Sequence, residues 1–250
     1  MIVTNDQELE GLKKIGRIVA LAREEMKAKA EPGMSTKELD LIGKRVLEAH
    51  GAASAPEKEY DFPGTTCISV NDEVAHGIPS TSTILKEGDL INIDISAEFG
   101  GYYSDTGISF VLGNGDETLH KLCQCAESAF QKGLEQARAG KKQNQIGRAV
   151  YNEAKAHGFT VIKNLTGHGI GKKLHEAPNH ILNYYDPFDS ALFKNGTVIA
   201  LEPFVSTKAE HTVEGGDGWT FKTPDGSLVA QIEHTIVITK DSPVILTKLD

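Results

Sequence analysis

The chain has 250 residues, of which 39% are hydrophobic and 24% are charged, a composition typical of a globular protein with one large core or two small ones. Its formal net charge of −9 excludes a broadly basic surface, so we expect no direct binding of nucleic acid. The first residues do not resemble a signal peptide and no apolar run is long enough to span a membrane, so we expect no membrane association.

Two amphipathic helices are predicted at the start of the chain. The first follows Asn5, a residue type that caps helices, and its apolar residues recur at helical spacing. The second begins at Ser35, because Ser35 and Glu38 form the capping-box pattern, and it ends near Gly51.

A strand with two distinct faces is predicted after these helices. In residues 90–96, isoleucines occupy alternate positions and polar residues occupy the positions between them. Successive strand residues point to opposite sides of a sheet. We therefore expect the helices to cover the isoleucine face and the polar face, which carries Asp94, to line a cleft.

The same order of elements then returns. A third helix is predicted from Leu119 to near Gly140, and a fourth carries Ile146 and stops near Gly158. Residues 88–94 match residues 196–202, and the segment that begins at Asp105 resembles the one that begins at Glu233. The repeat predicts two similar halves, roughly 1–112 and 113–250, packed about a pseudo-twofold axis with one continuous sheet in a single domain, 1–250.

The third predicted helix also holds two of the three cysteines. Cys123 and Cys125 are two residues apart, so they do not face each other on a helix, and we interpret them as packing residues. With Cys67 they are too few for a disulfide framework. We therefore expect a reduced protein of the cytoplasm.

Four carboxylates and one imidazole lie within apolar or glycine-rich segments. They are Asp94, Asp105, His168, Glu202 and Glu233. Alone, each acid would be interpreted as a solvent-facing residue, but the repeat places the four as two matched pairs near the axis. Such a set would be strongly repulsive without a cation, and its oxygen and nitrogen donors favour Mn²⁺, Fe²⁺, Co²⁺ or Zn²⁺. We predict a two-metal site that activates water for attack on a carbonyl.

Two further histidines lie in loops near the predicted ligands. His76 follows a predicted strand, and His175 comes seven residues after His168. Isolated loop histidines are usually structural, but beside a metal cleft each could donate a hydrogen bond to substrate. His50, His120, His157, His180, His211 and His234 are interpreted as surface or packing residues.

At these residues the chain resembles the type I methionine aminopeptidases, and the resemblance covers essentially the whole chain. The segments that carry it are 67–71, 76–79, 92–94, 105–106, 167–171, 175–178, 202–203 and 231–235. It implies an α+β pita-bread fold, in which two pseudo-twofold-related halves form a curved, mainly antiparallel sheet with helices on its outer face.

The resemblance also implies roles for individual residues. It implies that Asp105 and Glu233 bridge two ions, that Asp94 completes one site, and that His168 and Glu202 complete the other. Glu202 would also shuttle protons, and His76 and His175 would contact substrate as catalytic residues.

The implied reaction is removal of the initiator methionine from nascent chains with a small second residue, near the ribosome. A pocket for the thioether is predicted from Phe62, Cys67, Phe204 and Trp219. Phe204 and Ile232 stand where family members often carry methionine and tyrosine, and Glu59 stands near a position often held by a rim tyrosine. We expect a monomer.

Three other functions were weighed. A prolidase or X-Pro aminopeptidase of the same fold usually carries a further N-terminal domain, for which we expect no room in this chain. A non-catalytic peptide-binding homologue would typically lack metal ligands, whereas all five are present. A nucleotide-binding protein would need a P-loop or a dinucleotide fingerprint, and we find neither.

Overall fold

Two pairs of long helices lie against antiparallel strands in the computed structural model, which describes residues 1–249. The helices are α1 (Asp6–Lys29), α2 (Thr36–Ala49), α3 (Ala55–Tyr60), α4 (Glu117–Leu134) and α5 (Asn144–Ala156). The strands are β1 (Ala53–Ser54), β2 (Cys67–Val70), β3 (Glu73–Ala75), β4 (Leu90–Phe99), β5 (Tyr102–Val111), β6 (Thr160–Val161), β7 (Gly167–Gly169), β8 (Glu176–Ile181), β9 (Val198–Leu201), β10 (Phe204–Ser206), β11 (Val213–Glu214), β12 (Phe221–Lys222), β13 (Val229–Gln231), β14 (His234–Val237) and β15 (Val244–Ile245).

The predicted helix starts are confirmed by their caps. The Asn5 side chain accepts a hydrogen bond from the backbone N–H of Glu8 at 2.9 Å. Ser35 and Glu38 exchange the two hydrogen bonds of a capping box, at 3.2 and 2.8 Å. Each bond satisfies a backbone or side-chain group that the helix itself leaves free.

Two helical features differ from the prediction. Helix α4 ends at Leu134, and hydrogen-bonded turns, not helix, continue towards Gly140. The short helix α3 was not predicted, because it follows β1 directly and has no apolar periodicity over its six residues. The Ser54 side chain caps it, and Pro56 lies in its first turn, where a missing N–H does no harm. No helix within residues 1–249 is both long and apolar enough to cross a membrane.

The first half contains a four-stranded sheet in which β4 pairs with β1, β2 and β5. Ile91, Ile93 and Ile95 of β4 are fully buried, in one apolar cluster with residues of α1 and α2. The predicted face of β4 is therefore the one that the helices cover. Asn92, Asp94 and Ser96 lie on the opposite face.

The second half repeats this plan with shorter strands. Strand β9 pairs with β7 and β14, and β10 pairs with β6 and β13. Glu202 and Pro203 interrupt β9 and β10 at the place where β4 is continuous. Helices α4 and α5 cover these strands through a second apolar cluster that includes Phe130.

The two halves meet along β5 and the segment between β13 and β14. Gly107 and Glu233 exchange both backbone hydrogen bonds, at 3.3 and 2.9 Å. Thr235 accepts a hydrogen bond from the backbone N–H of Asp105 and donates one to its carbonyl, both at 2.8 Å. The join therefore lies at residues that carry, or adjoin, the predicted metal ligands.

The pair Ile42-Gly43 of α2 and the pair Ile146-Gly147 of α5 each mark a point where the helix packs closely against another segment of the chain. A Cβ at Gly43 would lie 2.5 Å from the Met26 sulfur, and one at Gly147 would overlap the backbone carbonyl oxygens of Leu182 and Tyr184. The flexible methionine can move aside, whereas the backbone of residues 182–184 cannot move without shifting the chain.

We expect Gly147→Ala to lower the free energy of unfolding by about 1–3 kcal/mol, because overpacking outweighs the better helix propensity of alanine. Gly43→Ala is the matched control, with a smaller loss. Urea unfolding of the metal-free proteins measures both values, and an equal loss in the two variants would contradict the prediction.

Candidate metal centre

The five predicted ligands converge on one cavity of about 310 Å³. Asp94 lies on β4, Asp105 on β5 and His168 on β7, while Glu202 follows β9 and Glu233 precedes β14. Each half therefore contributes carboxylates to the same wall, as the repeat predicted. The position of Asp94 follows from strand alternation: its neighbours Ile93 and Ile95 face the helices, and the acid faces the cavity.

The donor atoms lie close enough to share cations. Single donor atoms of Asp105, His168 and Glu233 all lie within 4.8 Å of one another. The Nε2 atom of His168 is 3.5 Å from Oε1 of Glu202 and 3.9 Å from Oδ2 of Asp105. These separations are too long for strong hydrogen bonds, and they leave room for an ion between the donors.

The electrostatics of the cluster require a positive charge. Burial raises the pKa of Asp105, Glu202 and Glu233 well above the usual range, and the other carboxylates of the cluster raise each further. Burial also raises the pKa of Asp94, to about 6. Within residues 1–249, no lysine or arginine side chain forms a salt bridge with these acids. Oδ1 of Asp105 is buried and has no hydrogen-bond partner among these residues, so a cation fits the site.

The His168 ring is held in a neutral form. Its Nδ1 lies 3.0 Å from the carbonyl oxygen of Gly169, which accepts a hydrogen bond from Nδ1–H and leaves the Nε2 lone pair towards the carboxylates. Burial, helped by the nearby His175, lowers the pKa of His168 to about 3. The neutral ring could therefore accept a cation without first losing a proton.

Gln231 orients two of the acids, and sequence reasoning did not assign it a role. Its amide nitrogen donates to Oε2 of Glu202 at 3.3 Å and to Oε2 of Glu233 at 3.4 Å. Its carbonyl oxygen accepts a hydrogen bond from Asn92 at 2.8 Å. Gly107 leaves space for this amide, since a Cβ there would lie 2.6 Å from the Gln231 oxygen.

A buried arginine contacts the backbone of the carboxylate cluster through a threonine hydroxyl. Arg23 of α1 donates to the Thr106 hydroxyl, which in turn donates to the backbone carbonyl of Glu233 at 2.9 Å. Its charge opposes the rise in the pKa of Glu233. His234 packs on the ring of Phe130 at 5.0 Å, away from the cavity, in agreement with its predicted packing role.

His76 and His175 both line the cavity beside the carboxylate cluster. The ring centroid of His175 lies 4.1 Å from that of His168. His76 has a φ of 54°, which is uncommon for a residue with a side chain and marks a position set by its surroundings. Burial lowers the pKa of both rings, although each keeps an edge exposed to solvent.

The four predicted pocket residues line the apolar part of the same cavity. Cys67, Phe62 and Phe204 are buried, and Trp219 is half-buried. The rings of Phe62 and Trp219 meet edge to face with their centroids 5.2 Å apart, a favourable arrangement of two aromatic side chains.

Some residues of the cavity were not foreseen. Tyr60 lines it, so a tyrosine does stand at the rim, while Glu59 instead accepts a hydrogen bond from Tyr103. His180 was predicted to be a surface or packing residue; it is exposed, but it also lies on the cavity wall. Ile232 is buried and pairs with Ile108 across the join between the halves.

Comparison with known proteins gives one consistent family. A sequence profile of metallopeptidase family M24 matches residues 10–240. The chain is 86% identical over 249 residues to methionine aminopeptidase 2 of Bacillus subtilis, and the alignment covers 100% of both chains. It is 54% identical over 251 residues to a methionine aminopeptidase of Staphylococcus epidermidis, again over 100% of both.

Solved structures agree with these sequences and confirm the predicted α+β pita-bread fold. A crystal structure of a methionine aminopeptidase from Thermotoga maritima matches with a TM-score of 0.95 and 32% identity over 100% of both chains. The prolidase of Pyrococcus furiosus matches with a TM-score of 0.78 and 23% identity, over 100% of this chain and 66% of that one. The second likeness concerns the fold alone.

The raised pKa of Asp94 predicts how the metal-free protein responds to pH. The folded value of about 6 exceeds the usual 3.8, so the contribution of Asp94 to stability is present below pH 3.8 and is lost as the pH rises through 6. Asp94→Asn lacks this contribution, whereas the other three acids are present in both proteins. In EDTA, we expect the stability of the wild type relative to this variant to fall by about 2 kcal/mol between pH 4 and pH 7. Urea unfolding at each pH measures the difference, and a constant difference would refute the prediction.

Proposed function

Because the chain belongs to metallopeptidase family M24, we propose that it binds divalent metal at the carboxylate cluster and removes methionine from the N-terminus of peptides whose second residue is small. The observation that carries this proposal is the convergence of four carboxylates and one imidazole on a cavity that also has an apolar pocket. The full-length identity to methionine aminopeptidases supports the same activity.

Two divalent ions, Co²⁺, Mn²⁺, Fe²⁺ or Zn²⁺, are the proposed occupants. Asp105 and Glu233 would be shared between them, Asp94 would complete one site, and His168 and Glu202 would complete the other. When bound, such ions supply Lewis acidity and make water acidic enough to lose a proton near neutral pH. The hard oxygen donors and single imidazole suit these metals better than metals that prefer thiolates.

The protein groups around the ions would hold substrate and move protons. Glu202 would take the proton, since its carboxylate lies on the cavity wall with Oε1 3.5 Å from Nε2 of His168. His76 and His175, both on the cavity wall, would donate hydrogen bonds to the peptide at the scissile bond. The carbonyl oxygen gains negative charge during attack, so donors placed there stabilise the transition state more than the ground state.

The apolar part of the cavity is the proposed site for the methionine side chain. Phe62, Cys67, Phe204 and Trp219 form its wall. A thioether is polarizable and makes favourable contacts with aromatic rings. The aromatic wall would therefore select a long, unbranched side chain by shape.

The location, oligomeric state and domain organisation are also proposed. We place the protein in the cytoplasm, acting as a monomer on nascent chains near the ribosome. The whole of residues 1–250 would form one catalytic domain, since both halves supply ligands to one cavity. An X-Pro peptidase is less well supported, because the prolidase likeness rests on 23% identity. A non-catalytic homologue is disfavoured by the complete ligand set.

We expect the protein to hydrolyse the peptide Met-Ala-Ser, to lose this activity in EDTA and to regain it with Co²⁺ or Mn²⁺. Release of methionine by the metal-loaded enzyme is the measurement, and an X-Pro dipeptide at equal concentration is the comparison substrate. Faster cleavage of the X-Pro dipeptide would reverse the assignment of specificity.

His175→Ala should reduce kcat for Met-Ala-Ser by about 10²–10³-fold, because it removes a donor from the transition state. Its metal content, measured by atomic emission after dialysis, should stay near that of the wild type. His168→Ala is the matched control and should lose metal as well as activity. Metal loss in His175→Ala would instead make His175 a ligand.

A further inference from the structure

Tyr60 and His175 form a hydrogen bond at the mouth of the cavity. The Tyr60 hydroxyl oxygen lies 2.7 Å from Nδ1 of His175, and the two ring centroids are 5.7 Å apart with the planes tilted by 50°. The residues are 115 positions apart, and both line the cavity. The contact therefore joins the first half of the chain to the proposed substrate-binding histidine of the second.

The segment that carries Tyr60 is fixed to the sheet of the metal cluster. Helix α3 ends at Tyr60 and follows β1, which pairs with β4, the strand of Asp94. The Ser54 side chain caps α3 and also donates to the carbonyl of Thr65 at 2.8 Å. Tyr60 is thus held at a set distance from the metal cluster, although its own side chain is exposed at the rim.

The chemistry of the pair favours one arrangement of protons. A neutral imidazole has one N–H and one lone pair, and its ordinary pKa of about 6.5 keeps it neutral at pH 8. A phenol is the stronger donor of the two groups, so Tyr60 donates to Nδ1 and the ring hydrogen lies on Nε2. In the opposite tautomer, Nδ1–H would donate to the Tyr60 oxygen, and the phenol hydrogen would lose its partner on His175.

We propose that Tyr60 is a positioning residue that holds His175 in the tautomer with hydrogen on Nε2. The Nε2–H group is then available to the substrate carbonyl, in keeping with the proposed function on which this inference rests. Tyr60 can select this tautomer because its hydroxyl is the one hydrogen-bond partner of His175 Nδ1 within residues 1–249. Without Tyr60, both tautomers would be populated, and the ring could turn.

The first test is a double-mutant cycle on the metal-loaded enzyme with Met-Ala-Ser as substrate. Tyr60→Phe should lower kcat about tenfold, as loss of an orienting partner commonly does, and change KM less than twofold. In a His175→Ala background the same substitution should have no further effect. An equal loss in both backgrounds would overturn the proposal, because Tyr60 would then act independently of His175.

The control for this cycle is Tyr103→Phe. It removes a phenol hydroxyl that binds Glu59 on the same short helix, but Tyr103 does not line the cavity. We expect its kcat to stay near that of the wild type. A tenfold loss in Tyr103→Phe would show that loosening of α3 alone explains the effect, which would overturn the proposal.

The second test reads the tautomer directly and does not depend on activity. In Zn²⁺-loaded protein with ¹⁵N-labelled histidine at pH 8, the His175 signals are identified by their absence in His175→Ala. The wild type and Tyr103→Phe should show hydrogen on Nε2, and Tyr60→Phe should show a mixture. A wild type with hydrogen on Nδ1, or an unchanged tautomer in Tyr60→Phe, would refute the role of Tyr60. Failure of the wild type to cleave Met-Ala-Ser would refute the proposed function instead, while the spectra would still decide the tautomer.

Discussion

The arrangement of this protein depends on the repulsion among four clustered carboxylates, three of them buried. Donor atoms of Asp105 and Glu233 lie within 4.8 Å of each other, and two full charges at that distance repel by about 3–4 kcal/mol at an effective dielectric constant of about 20. A whole domain is usually stable by only about 5–15 kcal/mol. Full ionisation of the cluster without a cation is therefore costly, in line with the raised pKa values of Asp105 and Glu233.

The fold keeps these charges together through rigid backbone contacts. Gly107 and Glu233 exchange backbone hydrogen bonds across the join, and Thr235 exchanges two more with Asp105. Because the bonds belong to the main chain and to one buried hydroxyl, they do not depend on the charge state of the acids. The backbone of the two halves thus holds the carboxylates in fixed positions, which lowers the entropic cost of binding an ion there.

Much of this arrangement was predictable from the sequence, and the contacts that were not predicted were missed for physical reasons. Strand alternation identified the cavity face of β4, and the internal repeat paired Asp94 with Glu202. Tyr60 was missed because α3 has no periodic pattern and its partner is 115 residues away. Gln231 adjoins a predicted ligand, but an amide in a strand gives no signal that it bridges Glu202 and Glu233. Contacts between side chains of distant segments need the tertiary structure.

The residues of the site differ in whether they lie within strands or at strand ends. Three of the proposed ligands, Asp94, Asp105 and His168, lie within strands, whereas His76 directly follows β3 and His175 directly precedes β8. Gly77 lets one of these segments pack tightly, since a Cβ there would overlap the backbone of Ile68. A metal centre needs donors fixed within a few tenths of an ångström, which strands provide. Hydrogen-bond donors to a substrate must instead reach over the open cavity. The hydrogen bond between Tyr60 and His175 can orient such a donor at the mouth of the cavity, as proposed above.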